Sequence, residues 1–233
     1  MLLGMAASSH AAVITWQTPT TISGNTDVST TGTLDRAYNM TNQSGSGAGV
    51  NGVSFLAFNV TSNTTTSATV GNTTVAASSG NLFSTLANGS SPSAAPFSSL
   101  SSAYGTILGQ AVRINVDMTL TLNSLTVGQT YQLQIWTNKS TANSYAFTAT
   151  AGNSVALDSN TTNVNGGVGQ FVLGSFTANA VSQAVTFTPN SGAFVEFSAF
   201  QLRAIPEPSS IALLTLGGAG LLFASRRRMQ NRA

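Results

Sequence analysis

Few residues in this chain have side chains suited to acid–base or nucleophilic chemistry. Cysteine is absent, and the single histidine is His10. Two acids stand out: Asp117 lies on the polar side of an alternating run, and Glu196 lies within an apolar run. Glycoside hydrolysis needs two carboxylates held at a set separation, and no spacing links these two. We expect each of these two acids to be either a surface carboxylate or a partner of Arg113 or Arg203, and the protein not to be an enzyme.

Other kinds of reactive or metal-binding site are poorly supported. A serine nucleophile would need a nearby base, and Lys139 lies in a predicted loop without the required spacing. Calcium needs clustered oxygens, which Asn25, Thr26 and Asp27, with Asp35 nearby, could supply. The same run is typical of an Asx turn, and we favour the turn. We therefore predict no metal and no cofactor.

Carbohydrate binding would use exposed aromatic side chains and polar amides. Trp16, Trp136 and Tyr145 are the candidates. Aromatic residues in strands more often lie in the core, so we favour buried positions for the two tryptophans. A carbohydrate-binding module therefore stays an alternative to a structural role.

The composition is polar but nearly uncharged. Only 6% of the 233 residues are charged, against about 25% in an ordinary soluble domain. Serine and threonine together number 63, and asparagine adds 20. The formal net charge of +2 comes from the C-terminal tail, because residues 12–204 contain four basic and five acidic side chains. Nucleic-acid binding needs a basic surface, so we exclude that class of partner.

The elements that would position these side chains are mostly strands. Apolar and polar residues alternate from Arg113 to Leu122, which predicts one long half-buried strand. Shorter alternating or apolar runs occupy residues 53–55, 131–135, 145–150, 171–173, 185–187 and 194–202, rich in the residue types that strands prefer. Many short strands separated by turns predict an all-β fold, an antiparallel β-sandwich or jelly roll.

Some connecting segments can also be interpreted. Thr126–Gln129 is predicted to form a tight hairpin turn between two strands. Residues 45–49 and 61–74 are predicted to be loops or weak edge strands. The spacing of Leu82, Phe83 and Leu86, and of Leu100, Tyr104, Ile107 and Leu108, predicts two short helices or turns at one end of the sandwich.

Three features follow one another at the C-terminus. Pro206-Glu207-Pro208 interrupts regular structure. An apolar run over 211–224 follows, roughly 21 Å long as a helix at 1.5 Å per residue. A bilayer span needs about 20 residues, so we predict a transmembrane helix over 209–225 that includes the flanking serines. Its anchoring side chains would be Ile211, Leu213, Leu214, Leu216, Leu221, Leu222 and Phe223.

A basic cluster follows this predicted span. Arg226, Arg227 and Arg228 would act as a cytoplasmic stop, because positive charge stays inside. The N-terminal residues 1–11 are apolar and end in small residues, which is typical of a signal peptide cleaved after Ala11. This segment is short and lacks a basic start, so we hypothesise that the true start lies further upstream.

The order of the three C-terminal features resembles the PEP-CTERM sorting domain of Gram-negative, exopolysaccharide-producing bacteria. The resemblance covers residues 205–228. It implies that Pro206, Glu207 and Pro208 are recognised by an exosortase, a membrane transpeptidase-like enzyme that processes the protein. It also implies transient residence in the inner membrane, followed by a location at the cell surface or outside the cell.

A second resemblance concerns the body. Residues 125–136 look like a strand pair of galactose-binding-like β-sandwiches, and residues 169–178 and 197–203 look like later strands of that fold. We therefore divide the chain into a signal peptide (1–11), a β-sandwich domain (12–204) and a sorting signal (205–233). The predicted function is a structural or interaction role in an exopolysaccharide or biofilm matrix, with exopolysaccharide as a candidate partner.

Overall fold

The computed structural model of the chain describes residues 11–42, 46–61, 63–86 and 94–206. Strands dominate these residues. In chain order they are β1 (Thr15–Trp16), β2 (Thr20–Thr21), β3 (Thr33–Thr41), β4 (Ala48–Val50), β5 (Val53–Asn59), β6 (Ser67–Val70), β7 (Thr73–Ala77), β8 (Phe83–Leu86), β9 (Gln110–Ile114), β10 (Met118–Asn123), β11 (Thr130–Thr137), β12 (Ala146–Ala151), β13 (Asn153–Asp158), β14 (Gln170–Thr177), β15 (Ser182–Pro189), β16 (Val195–Phe197) and β17 (Ala199–Ile205).

The strands form two large sheets and one small sheet. The first has the order β1-β14-β11-β17-β3-β5-β4, with β2 also paired to β14. The second has the order β13-β12-β15-β10-β7-β6, and the small sheet has the order β16-β9-β8. One apolar core contains inward side chains of both large sheets, such as Leu133 and Phe200 from the first and Leu120 and Phe187 from the second. The predicted all-β sandwich is confirmed.

A second apolar cluster lies on the other face of the eight-stranded sheet. Trp136 and Ala199 belong to it, whereas their chain neighbours Ile135 and Phe200 belong to the main core. Because successive strand residues point to opposite faces, both faces of this sheet are buried at its centre. The six-stranded sheet differs, since β10 alternates strictly between buried and half-buried residues.

The single α-helix among the described residues, α1 (Ser102–Leu108), covers that second cluster. The hydroxyl of Ser101 accepts a hydrogen bond from the Tyr104 amide at 3.2 Å and caps the first turn. Tyr104, Ile107 and Leu108 are buried, as their helical spacing predicts. Two single turns of 3₁₀-helix lie at Asn25–Asp27 and Phe97–Ser99.

Two predicted elements are wrong in their type or extent. Phe83 and Leu86 lie in strand β8, which pairs with β9, and not in a helix. A run this short fits either structure, and pairing with a neighbouring strand decides. The predicted long strand from Arg113 is two strands in different sheets, broken at residues 115–117. The alternation continues across the break because Val116 still packs against the core.

The predicted hairpin at Thr126–Gln129 is also wrong. It connects β10 to β11, which belong to different large sheets and do not pair. The amide of Gly128, at φ +88°, donates instead to the carbonyl of Ala178 at 2.7 Å. The two regions predicted as loops or weak edge strands contain β4 and β6, each at the edge of its sheet.

The pairing is antiparallel throughout except between β3 and β5, which are parallel. The predicted antiparallel sandwich therefore describes every strand pair of the described residues except this one. No helix in the described ranges is both long and apolar enough to cross a bilayer. The predicted span at 209–225 and nearly all of the predicted signal peptide lie outside the described residues.

Candidate functional site

The last strand of the body leads directly into the C-terminal tail. Strand β17 pairs with β11 on one side and with β3 on the other, so it lies inside the sheet. At its end, the carbonyl of Ile205 accepts a hydrogen bond from Gln129 Nε2 at 2.7 Å. Pro206 follows and is exposed. Because proline has no N–H to extend the ladder, regular pairing ends at Ile205, directly before the tripeptide.

The remaining predicted sorting residues lie beyond the described part of the chain. These are Glu207 and Pro208, the anchor residues from Ile211 to Phe223, and Arg226, Arg227 and Arg228. Of the recognition tripeptide, the structure therefore describes only Pro206. It places that residue outside the core, immediately after β17.

The buried side chain of Arg203 links strand β17 to the segment that precedes β3. Arg203 donates hydrogen bonds to the carbonyls of Thr30, Thr31 and Gly32 at 2.7–3.1 Å. Burial lowers the pKa of its guanidinium below the ordinary value. These contacts hold the segment before β3 against β17. Arg203 is thus committed to backbone carbonyls, and it is Arg113 that lies beside Glu196.

Arg113 lies at the centre of a cluster of aromatic and charged side chains. Its guanidinium carbon is 3.9 Å from the ring centroid of Phe194 and 4.7 Å from that of Tyr145. It also donates a hydrogen bond to the Tyr145 hydroxyl at 2.6 Å. The two rings lie 5.0 Å apart. Planar cations are attracted to aromatic faces, so this packing fixes the guanidinium in one orientation.

Two further charged residues complete the cluster. Glu196 is almost fully buried and so is not a surface carboxylate, and its Oε2 lies 3.9 Å from Nε of Arg113, one of the two alternative partners. The Lys139 ammonium is 4.6 Å from the Tyr145 ring and donates to the carbonyls of Ala142 and Asn143. Three of the nine charged residues of the body therefore meet at one place.

A groove opens beside this cluster. It has a volume of about 400 Å³ and is lined by Phe83, Arg113, Asn115 and Phe194. Phe83 is 40% exposed, which is unusual for a phenylalanine in a strand. Apolar walls with a few polar groups are typical of small-molecule sites. The sequence named Arg113, which lines this groove, among the partners of Glu196. It did not reveal Phe83 or Asn115, because Phe83 lies on another strand, β8, and Asn115 lies in the loop after β9.

The ammonium group in this cluster makes stability depend on pH. Burial lowers the pKa of Lys139, and Arg113 acts in the same direction while Glu196 opposes both. In the pH window between the lowered pKa and the ordinary value of 10.5, the unfolded chain binds more protons than the folded one. The free energy of unfolding of the wild type should therefore rise with pH through this window because of Lys139.

Lys139→Met should remove that contribution. The difference in unfolding free energy between wild type and variant should be constant well below the window and then shift in favour of wild type as pH approaches 10.5. Urea denaturation at several pH values measures this difference. If the free energies of unfolding of the two proteins differed by the same amount at every pH, the fold would not disfavour the charged form of Lys139.

Trp136 lies in the core, as predicted, and offers no aromatic platform for a sugar. This residue is fully buried in the second apolar cluster, and its indole N–H donates to the Tyr104 hydroxyl at 2.9 Å. The Tyr104 hydroxyl in turn donates to Asp27 Oδ2 at 3.2 Å. Trp16 is partly buried against the core. Tyr145 is half-buried and lies against Arg113. The complete burial of Trp136 confirms the predicted core position of that residue.

The candidate calcium loop is organised as a turn. The carboxylate of Asp27 accepts hydrogen bonds from the amide and hydroxyl of Ser23 and from the amide of Gly24, at 2.7–3.0 Å. Asp35 forms its ion pair with Arg36. Within the described ranges, no three acidic or histidine side chains gather where a metal ion could sit.

Comparisons with known proteins give a specific match for the C-terminal tail and none for the body. No curated protein matches the chain. A solved structure described as a carbohydrate-binding module of the β-sandwich superfamily is similar at 10% identity with a TM-score of 0.14. The aligned region covers 62% of this chain and 66% of the other chain, which is just under two thirds of that protein's length. A TM-score this low supports no conclusion about fold or ligand.

The C-terminal tail, by contrast, matches a family description. Residues 204–228 match the PEP-CTERM protein-sorting motif. This match begins at the end of β17 and contains the Pro206-Glu207-Pro208 tripeptide. The motif implies processing by an exosortase and export to the cell envelope or surface. The chain is thus a β-sandwich protein that carries a PEP-CTERM sorting motif at its C-terminus.

Proposed function

We propose that this protein is a non-enzymatic component of the extracellular matrix of a Gram-negative bacterium. Residues 209–225 hold it briefly in the inner membrane with the arginines on the cytoplasmic side. An exosortase then recognises Pro206, Glu207 and Pro208 and releases the body outward. The body acts afterwards as a structural or interaction component among exopolysaccharide chains.

The observation that carries this proposal is the position of the tripeptide relative to the fold. Every described strand ends at or before Ile205, and the tripeptide begins with an exposed residue. Processing there would remove the tail without removing any strand. A cut within β17 would instead remove part of an inner strand of the eight-stranded sheet.

The chemistry of the body also supports a role in a polysaccharide matrix. Its few charges are largely engaged within the protein, as for Asp27, Arg36 and Arg203. The exposed polar groups are therefore mainly hydroxyls and amides. Such groups exchange hydrogen bonds readily with sugar hydroxyls, and they give no field that would attract nucleic acid.

Replacing Pro206, Glu207 and Pro208 together by alanine should abolish processing. The variant should accumulate in the membrane fraction as the full-length chain, while wild type appears outside the cell in a shorter form. Immunoblotting of cell fractions, with mass spectrometry of the C-terminal peptide, measures both. A matched control replaces Thr126, an exposed loop residue in the body, by alanine and should be processed like wild type.

Two results would contradict the proposal. One is normal release of the triple variant. The other is a mature wild-type protein that keeps Arg226–Ala233 in the cytoplasmic fraction. Either would show that the tripeptide does not direct sorting of this chain.

A secreted carbohydrate-binding module is the second candidate function. The buried Trp136 speaks against a sugar platform at that residue. The groove beside Arg113 favours binding elsewhere, since an exposed aromatic ring at Phe83 and a partly exposed guanidinium face the same space. Sugar rings stack on aromatic faces, and a guanidinium binds carboxylates well. An acidic sugar would therefore be the ligand of this groove.

A further inference from the structure

The outer face of the six-stranded sheet is an array of threonines. Strands β6, β7, β10, β12, β13 and β15 turn alternate residues inward, where Leu120, Val185 and Phe187 are fully buried. The residues between them point outward and are half-buried or exposed. We call this outward set the threonine face, and its threonines are Thr69, Thr74, Thr119, Thr121, Thr148, Thr150, Thr186 and Thr188.

The strand register aligns these side chains in rows across the sheet. In one row Thr150 is opposite both Ser154 and Thr186, and Thr186 is opposite Thr119. In a second row Thr121 is opposite Thr74, which is opposite Thr69. Neighbours in a row are about 4.8 Å apart and successive rows about 6.8 Å apart, so six strands give a surface roughly 24 Å wide.

Two pairs of hydroxyls in this array are within hydrogen-bond distance of each other. Thr150 Oγ1 lies 3.0 Å from Ser154 Oγ, and Thr69 Oγ1 lies 2.9 Å from Thr74 Oγ1. Threonine is also stiff about its first side-chain torsion because it is branched at Cβ. A partner that binds here therefore orders few side chains, which lowers the entropic cost of binding.

The outer faces of the two large sheets differ in what covers them. Helix α1 and the segment before β3 cover the eight-stranded sheet through the second apolar cluster, which includes Trp136 and Ala199. That cluster contains no residue of the six strands that form the threonine face. Among the described residues, the threonine face is therefore the broad sheet surface without an apolar layer on it.

The side chains on the threonine face indicate which class of partner binds there. The six described strands present no basic and no aromatic side chain on it; the remaining members are serine, alanine and asparagine, with Asp158 at one corner. Protein interfaces concentrate their binding energy in aromatic residues and arginine, so a protein partner is disfavoured. An acidic polymer would need basic residues. A neutral polymer matches the absence of charge, and on a face without aromatic rings the rows of hydroxyl and methyl groups would make the contacts.

From this array we infer that the threonine face is a docking surface for a neutral polysaccharide whose chains lie side by side. Each threonine offers a methyl group to the C–H surface of a sugar ring and a hydroxyl that both donates and accepts. The inference rests on the proposed matrix role and names the polymer class that the body contacts. Binding involves many weak contacts over a flat area and no deep pocket.

Microcrystalline cellulose, an uncharged glucan with chains in flat sheets, is a suitable probe. The purified full chain, kept in a mild detergent, should co-sediment with cellulose. Thr186→Lys and, separately, Thr148→Lys should each weaken binding about tenfold, because each places an unpaired ammonium against a neutral surface. Circular dichroism checks that each variant is folded.

Matched controls separate this surface from other sites. Thr177→Lys adds the same charge on the eight-stranded sheet, where Thr177 is exposed and has a threonine partner, Thr130, as Thr186 has Thr119. It should bind cellulose like wild type. Phe83→Ala changes the groove and should also leave cellulose binding unchanged.

Three results would overturn the inference. The wild type could sediment no more than an unrelated soluble protein, or Phe83→Ala could abolish binding while Thr186→Lys did not. Analytical ultracentrifugation could instead reveal a dimer that Thr186→Lys dissociates, which would make a second copy the occupant. None of these measurements involves processing, so the matrix proposal is judged separately by the alanine replacement of the sorting tripeptide.

Discussion

A chain that ends at Pro206 should fold as stably as the full-length chain, whereas a chain that ends at Ser198 should not fold. The difference between them is strand β17 and Pro206. This strand lies between β11 and β3 in the eight-stranded sheet, and Phe200 and Leu202 are fully buried on it. Its loss would leave β11 and β3 each unpaired along one edge and remove side chains from the main core.

The expected magnitude follows from the burial. Removing one large buried aromatic side chain costs about 3–5 kcal/mol, and a domain of this kind is stable by only about 5–15 kcal/mol. The combined loss of Phe200, Leu202 and the ladder hydrogen bonds on both sides is therefore of the same order as the total stability, which is enough to prevent folding. The buried contacts of Arg203 with residues 30–32 would be lost as well.

Thermal denaturation followed by circular dichroism distinguishes the two truncations. The chain ending at Pro206 should give a cooperative transition at the temperature of the full-length protein. Phe200→Ala in the full chain is a milder control and should lower stability by about 3–5 kcal/mol. A cooperative transition for the chain ending at Ser198 would show that β17 is dispensable. The sorting signal would then not mark the end of the folding unit.

The sequence predicted the fold class and the C-terminal signal because both depend on local patterns. The alternation through Leu120 and Leu122 reports one buried face, and the order of tripeptide, apolar run and arginines needs no tertiary information. The same local patterns failed where the chain changes sheets. Val116 continues the alternation into the core although the strand ends at Ile114, so periodicity alone hides the break.

The groove could be predicted only in part for a related reason. A buried acid is costly without a cation nearby, so the sequence offered Arg113 and Arg203 as alternative partners of Glu196, and the structure selects Arg113. Phe83 and Asn115 join them because β8 pairs with β9 and a loop follows β9. The threonine face was equally hidden, since it requires the register of six strands that are scattered from residue 67 to residue 189.

Trp136→Ala should destabilise the fold strongly. Trp136 is fully buried, packs edge-on against Phe55 with ring centroids 5.6 Å apart, and donates its N–H to Tyr104. Deletion of a buried tryptophan side chain costs about 3–5 kcal/mol. It also leaves the Tyr104 hydroxyl with Asp27 as its remaining described side-chain partner. Trp136→Phe keeps an aromatic ring and loses the donor, so it should cost less, about 1–3 kcal/mol.

Chemical denaturation of the three proteins measures these differences, and Trp16→Ala provides the matched control. Trp16 is only partly buried, and its N–H donates to the carbonyl of Asn153 at 3.2 Å, so its removal should cost less than that of Trp136. If Trp136→Ala were as stable as wild type, the second apolar cluster would not hold α1 on the sheet. The expected result has a consequence for ligand binding as well. Any loss of sugar binding on Trp136→Ala would then reflect a destabilised fold and not a lost sugar contact. Phe83→Ala in the groove and Thr186→Lys on the threonine face are the substitutions that test binding itself.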